Sequence, residues 1–101
     1  MSRGTEVGKN STKVPKLAPR QQEAYQHFSQ TIWSAGVLPG KEKETIAVAV
    51  AHSTKCQYCI EFHTKKAKRQ GATLKELTEA VMVTAAVEGQ GAVIHAVNAG
   101  N

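Results

Sequence analysis

Past Pro19 the apolar residues fall into helical step. Ala24, Tyr25, Phe28, Ile32 and Ala35 recur at three- and four-residue intervals, which predicts an amphipathic helix. Gly36 stands where a C-terminal cap would close it, ahead of the turn V-L-P-G at 37–40. Residues 41–53, K-E-K-E-T-I-A-V-A-V-A-H-S, carry two periods at once: Ile46, Val48 and Val50 alternate as in a strand, while the alanines between them favour helix. A strand here would find no second strand to pair with, so a helix is expected. From Cys56 onward, Cys56, Cys59, Ile60, His63 and Ala67 form one helical stripe, and Lys65, Lys66, Lys68 and Arg69 crowd its last turn, where the macrodipole favours cations. Gly71 ends that helix. T-L-K-E at 73–76 reads as a capping box, Thr73 as N-cap and Glu76 reaching back. Leu74, Leu77, Val81 and Ala85 carry the next helix to about Glu88, and A-V-I-H-A-V-N-A at 92–99 forms a separate last helix between glycines. The expectation is an all-α domain of about five helices.

Length narrows this further. At 101 residues the chain is one small domain, which buries a limited share of its apolar surface and draws support from oligomerisation or covalent staples. The two cysteines, three positions apart, close too short a loop to restrain the unfolded chain much, so oligomerisation is the expected support. No stretch approaches the ~18 uninterrupted apolar residues of a membrane span. The opening M-S-R-G-T-E-V-G-K-N-S-T-K-V-P-K has no apolar core to serve as a secretory signal. A soluble cytoplasmic protein is expected, in a compartment that keeps thiols reduced and makes a disulfide transient.

The formal charge of +5 belongs mostly to the N-terminus: residues 1–20 hold Arg3, Lys9, Lys13, Lys16 and Arg20 against Glu6 for +4, leaving +1 for the rest. Residues 1–18, rich in Ser, Thr, Gly and Lys, read as a disordered basic tail, and residues 19–101 as the helical domain. Neither a nucleic-acid partner nor a membrane is expected.

The chemistry concentrates in K-C-Q-Y-C-I-E-F-H, residues 55–63. Cysteines at i and i+3 of a first helical turn share a face and lie close enough to form a disulfide. Backbone N–H groups at a helix N-terminus favour a thiolate there, and His63, one turn beyond Cys59, can exchange a proton with it. The same residues leave two alternatives. Cys56, Cys59, His63 and His52 could ligate zinc, although all lie within one short segment and the metal would join little together. Both cysteines could also be inert core residues on the inward stripe. A thioredoxin-type site lacks the βαβ pattern that would surround it.

Glu44, eleven residues, then C-Q-Y-C-I-E-F-H resembles the signature E-x(11)-C-x-x-C-x(3)-H of the carboxymuconolactone decarboxylase-like superfamily in its alkylhydroperoxidase AhpD-like branch. The flanks L-P-G-K-E-K-E and A-K-R-Q-G-A-T-L-K-E-L-T-E-A are similar too, so the resemblance covers roughly residues 20–99. It implies an AhpD-like all-α fold assembled as a homo-oligomer, a trimer or hexamer, and a thiol-dependent peroxidase or disulfide reductase with no cofactor and no metal. It implies that Cys59 attacks a hydroperoxide and becomes a sulfenic acid, that Cys56 condenses with it to a redox-active disulfide, and that an external dithiol or protein disulfide donor restores both thiols. His63 would act as base toward Cys59, and Glu44 would orient His63 or relay its proton.

Two features depart from the better-known AhpD proteins. Tyr58 stands where they carry a further histidine, and they are considerably longer. The decarboxylase proper generally lacks the C-x-x-C pair, which leaves lactone decarboxylation as the alternative activity beside a non-catalytic metal-binding or scaffold module. His52 and Tyr58 are candidate relay or pocket residues. Trp33, Tyr25 and Phe28 are expected in the core or at a subunit interface.

Overall fold

The computed structural model describes residues 14–96 and residue 98. Five helices follow in order: α1 (Val14–Leu17), α2 (Pro19–Trp33), α3 (Gly40–Thr54), α4 (Gln57–Arg69) and α5 (Leu74–Ala96). The all-α expectation holds, and no strand occurs among the described residues. Residues 1–13 of the expected basic tail lie outside the described residues, while Val14–Leu17, within its span, form the short α1.

The doubly periodic segment 41–53 is helical. Its buried residues, Glu44, Val48 and Ala51, stand at i, i+4 and i+7, one face of a helix. Ile46 and Val50, the other members of the apparent strand alternation, are half exposed on a different face. α3 ends with Lys55 in the left-handed region (φ 57°, ψ 37°), and the N–H groups of Lys55 and Cys56 both return to the Ala51 carbonyl. Cys56 is then already the N-cap of α4, its Sγ accepting the Cys59 N–H at 3.2 Å. So tight a corner folds α4 back along α3.

At its other end α4 closes through Gly71, whose φ of 94° a β-carbon would strain, and Ala72 N–H bonds the Ala67 carbonyl at 3.0 Å. The capping box forms as expected: Thr73 N–H donates to Glu76 Oε1 at 2.9 Å, and Glu76 N–H to Thr73 Oγ1 at 3.1 Å. Val48, Ala67, Ala72 and Leu77, with Val81 against them, make the core. Its alanines let α3, α4 and α5 approach closely.

Two elements differ from the sequence reading. Instead of stopping near Glu88 and restarting, α5 runs unbroken from Leu74 to Ala96 through Gly89 and Gly91. Each glycine costs a helix about 1 kcal/mol relative to alanine but does not break it. Thr84 Oγ1 donates to the Ala49 carbonyl at 2.9 Å, and Ser53 Oγ to Glu88 Oε2 at 3.1 Å, so α3 supports α5 up to the glycines. The second difference is at α2, which ends at Trp33 with Ser34 as an extended C-cap rather than at a left-handed Gly36. The cation of Lys43 replaces the glycine cap: its Nζ donates to the carbonyls of Ile32 at 2.7 Å and Ser34 at 2.8 Å. No residue of α2 is buried: Tyr25 and Phe28 of its apolar stripe face outward, and Ile32 lines a cavity against α3.

Candidate functional site

The α3–α4 corner brings Glu44 and His63 together. Glu44 is 2 % exposed, and its Oε2 lies 2.7 Å from His63 Nδ1. An ionised carboxylate only accepts, so opposite an ionised Glu44 it is Nδ1 that donates, and in the neutral ring the lone pair then lies on Nε2. Burying a lone carboxylate costs several kcal/mol, which makes this bond, with Lys66 Nζ 3.9 Å from Oε1, the condition for Glu44 to sit where it does. Every buried side-chain nitrogen and oxygen among the described residues is hydrogen-bonded.

Aromatic contacts hold the imidazole from two further directions. Trp33 stacks on its face at a centroid distance of 5.1 Å, and Phe62 meets it edge-on at 5.1 Å. Lys66 lies over the Phe62 ring, 4.9 Å from its centroid, so one cation touches both the acid and the aromatic that flank His63. A ring fixed at Nδ1, on one face and at one edge has little rotational freedom left.

Cys56 and Cys59 are joined in a disulfide with their Cα atoms 5.2 Å apart. The two sulfurs stand in different surroundings. Cys56 Sγ caps α4 and accepts a backbone N–H, an arrangement that stabilises a thiolate when the pair is reduced. Cys59 lies one turn before His63, and both line a cavity of about 440 Å³ between α3, α4 and the C-terminal end of α2. Cys56 does not line it.

Of the residues picked out in the sequence, Glu44, His63, Cys56 and Cys59 are thus brought together by one corner of the chain. His52 and Tyr58 are not. His52 bonds back to its own helix, Nδ1 to the Val48 carbonyl at 2.8 Å, and lines a different cavity beside Leu77. Tyr58 stacks on Phe62 at 5.8 Å and stays outside the cavity that Cys59 and His63 share. No group of three or more His, Cys, Asp or Glu side chains among the described residues is placed to hold a metal ion. Sequence reasoning missed Trp33 as a neighbour of His63 and Lys66 as a neighbour of Glu44. Lys66 was legible, since it follows His63 on the same helix. Trp33 was not, because no spacing rule links positions thirty apart on different helices.

A family model for the carboxymuconolactone decarboxylase family matches residues 19–101. The chain is similar to Uncharacterized protein 4 in cox locus of Paracoccus denitrificans, 42 % identical over 74 residues that cover 73 % of this chain and 67 % of that one. A solved structure from Methanobacterium thermoautotrophicum superposes with a TM-score of 0.78 at 30 % identity, covering 82 % of this chain and 93 % of that one. The apo crystal structure of a carboxymuconolactone decarboxylase family protein from Legionella pneumophila superposes with a TM-score of 0.76 at 26 % identity, covering 93 % and 84 % respectively.

Proposed function

The chain belongs to the carboxymuconolactone decarboxylase family, and on that premise we propose that it is a thiol-dependent peroxidase of the AhpD-like type, cycling Cys56 and Cys59 between dithiol and disulfide. The observation that carries this reading is the Glu44–His63 bond of 2.7 Å set beside a disulfide of which Cys59 opens on the cavity.

The positions support one order of steps. In the reduced protein Glu44 holds the His63 proton on Nδ1, and Nε2 takes the proton of the Cys59 thiol. The Cys59 thiolate attacks the outer oxygen of a hydroperoxide. The O–O bond breaks, Cys59 becomes a sulfenic acid, and the alkoxide leaves as the alcohol with the proton from His63. Cys56, a thiolate favoured by its N-cap N–H, then attacks the Cys59 sulfur. The S–S bond forms and hydroxide leaves, to be protonated to water. An external dithiol reduces the disulfide by exchange, becoming a disulfide itself and returning both thiols. Peroxide is reduced by two electrons and the donor oxidised by two.

A reducing, cytoplasmic setting suits this cycle, and no helix among the described residues is long and apolar enough to cross a membrane. A homo-oligomer, trimer or hexamer, belongs to the same proposal. The exposed aromatic rings of Tyr25 and Phe28 on one stripe of α2 support it, as surface that a second copy would cover.

Hydroperoxide consumption with a dithiol donor, compared between wild type, Cys56→Ser and Cys59→Ser, tests the cycle. With the donor withheld, Cys56→Ser is expected to consume one equivalent and hold a trappable sulfenic acid on Cys59. Cys59→Ser is expected not to react. Turnover undiminished in both variants rules the cycle out, and a sulfenic acid found on Cys56 reverses the order of the two thiols.

A further inference from the structure

The cavity at Cys59 and His63 is far larger than a hydrogen peroxide molecule requires. Its volume of about 440 Å³ falls in the range of sites for small organic ligands, ~300–1,000 Å³. Trp33, Leu38, Ile46 and Val50 contribute carbon walls, and Lys43, the cation at its rim, spends its ammonium on the α2 carbonyls of Ile32 and Ser34. Thr54, the other polar side chain of the lining beside the Cys59–His63 pair, turns its hydroxyl to the Ala51 carbonyl at 3.3 Å, so most of the wall is carbon.

One wall is built differently from the others. It comes from the last turn of α2 and the segment after it, although α2 buries no residue of its own. Two attachments hold this wall over the thiol: the Lys43 cation at the negative end of the helix, and the Trp33 ring on His63.

We propose that Trp33 is the specificity-determining residue of the site, offering its indole as the wall against which the hydrocarbon part of a bulky apolar hydroperoxide packs, with Lys43 as the positioning residue that keeps it there. The chemistry of this inference rests on the peroxidase reading; the apolar binding does not. A phenyl ring laid on one indole face covers on the order of 50 Å² of apolar surface, which at ~25 cal/mol per Å² is worth roughly ten-fold.

The test is the ratio of rate constants for oxidation of the reduced protein by cumene hydroperoxide and by hydrogen peroxide, in single turnover with free-thiol counting. Both reagents use the same thiol and base, so any effect of Trp33 acting through His63 cancels in the ratio. Trp33→Ala is expected to lower the ratio about ten-fold and Trp33→Phe less than about three-fold. Lys43→Met is expected to lower it too, with a red shift in fluorescence that reports Trp33 alone, the single tryptophan of the chain. A ratio unchanged in both Trp33→Ala and Lys43→Met overturns the proposal. Should Trp33→Ala fail to fold, Lys43→Met decides it, and a ratio unchanged there overturns the proposal.

Calorimetric binding of cumyl alcohol, which has the same skeleton without the O–O bond, separates the two readings. Binding to wild type that weakens about ten-fold in Trp33→Ala, with neither hydroperoxide oxidising Cys59, removes the peroxidase reading and keeps the wall. No binding to wild type overturns the wall whatever the thiols do. Affinity that falls as protein concentration rises overturns it as well, because a second copy then fills the cavity.

Discussion

Glu44→Gln changes one buried atom pair and little shape, yet it should slow Cys59 oxidation far more than the loss of an exposed charge would. In the wild type both carboxylate oxygens accept, so Oε2 takes the His63 Nδ1–H at 2.7 Å while Oε1 faces Lys66 Nζ at 3.9 Å. An amide cannot serve both neighbours equally. With its oxygen toward the lysine, its NH₂ meets His63 Nδ1, which must then accept, and the imidazole proton moves to Nε2 where the base should be. A cation–carbonyl contact screened by solvent around Lys66, whose side chain is 40 % exposed, favours that unproductive orientation by about 1 kcal/mol, roughly five-fold. The productive orientation has meanwhile lost a charge-assisted bond for a neutral one, about another 1–1.5 kcal/mol or roughly ten-fold in rate. Together they predict a loss of about fifty-fold in the single-turnover rate of thiol oxidation. Lys66→Met in the Glu44→Gln background frees the amide to turn and should recover about five-fold, whereas Lys66→Met alone should change the rate less than about three-fold. A Glu44→Gln rate within three-fold of wild type, or a double variant no faster than the single one, would refute the tautomer reasoning.

Two further outcomes concern stability. Leu77 is 4 % exposed in the core, so Leu77→Ala should cost about 3 kcal/mol and lower the melting temperature by about 10–20 °C in a thermal scan; a drop under about 3 °C would contradict its core role. The carboxyl of Glu76 is pulled down to about 2, first by the Lys41 ammonium at 2.9 Å and then by the Thr73 N–H. A depressed carboxyl stabilises the fold above its ordinary value of 4.5 and loses that contribution as pH falls toward about 2. The melting-temperature gap between wild type and Glu76→Gln should therefore be full above pH 4.5, close as pH falls below it, and shrink in high salt because the pair is exposed; a gap independent of pH excludes the linkage.

The site divides into parts with different structural origins. Cys56, Cys59 and His63 owe their proximity to one helix, and a spacing of three and four residues guarantees it wherever that helix forms. Glu44 depends on the corner at Lys55 and Cys56, where a left-handed residue and a sulfur N-cap turn the chain in two residues. Trp33 depends on Lys43 reaching eleven positions back along the chain to hold the end of α2.

Local periodicity determined most of the helices. The stripe from Cys56 to Ala67, the capping box at Thr73 and the burial of Val48 all follow from side chains three or four apart, which interact whatever the rest of the chain does. The resemblance carried by Glu44 and the dithiol was legible for the same reason: it is a pattern of residue types in fixed register. The extent of α5 was not legible, since the helix runs on through two glycines that propensity reads as an end, with hydrogen bonds of Thr84 and Glu88 tying it to α3 just before them. The end of α2 was decided by Lys43 rather than by Gly36, because a cation on the free carbonyls satisfies them as well as a left-handed residue does. Only the assembled structure could set Trp33 against His63 and separate the two cysteines, one capping a helix and the other facing a cavity, because contacts between distant helices are made by packing and leave no period in the sequence.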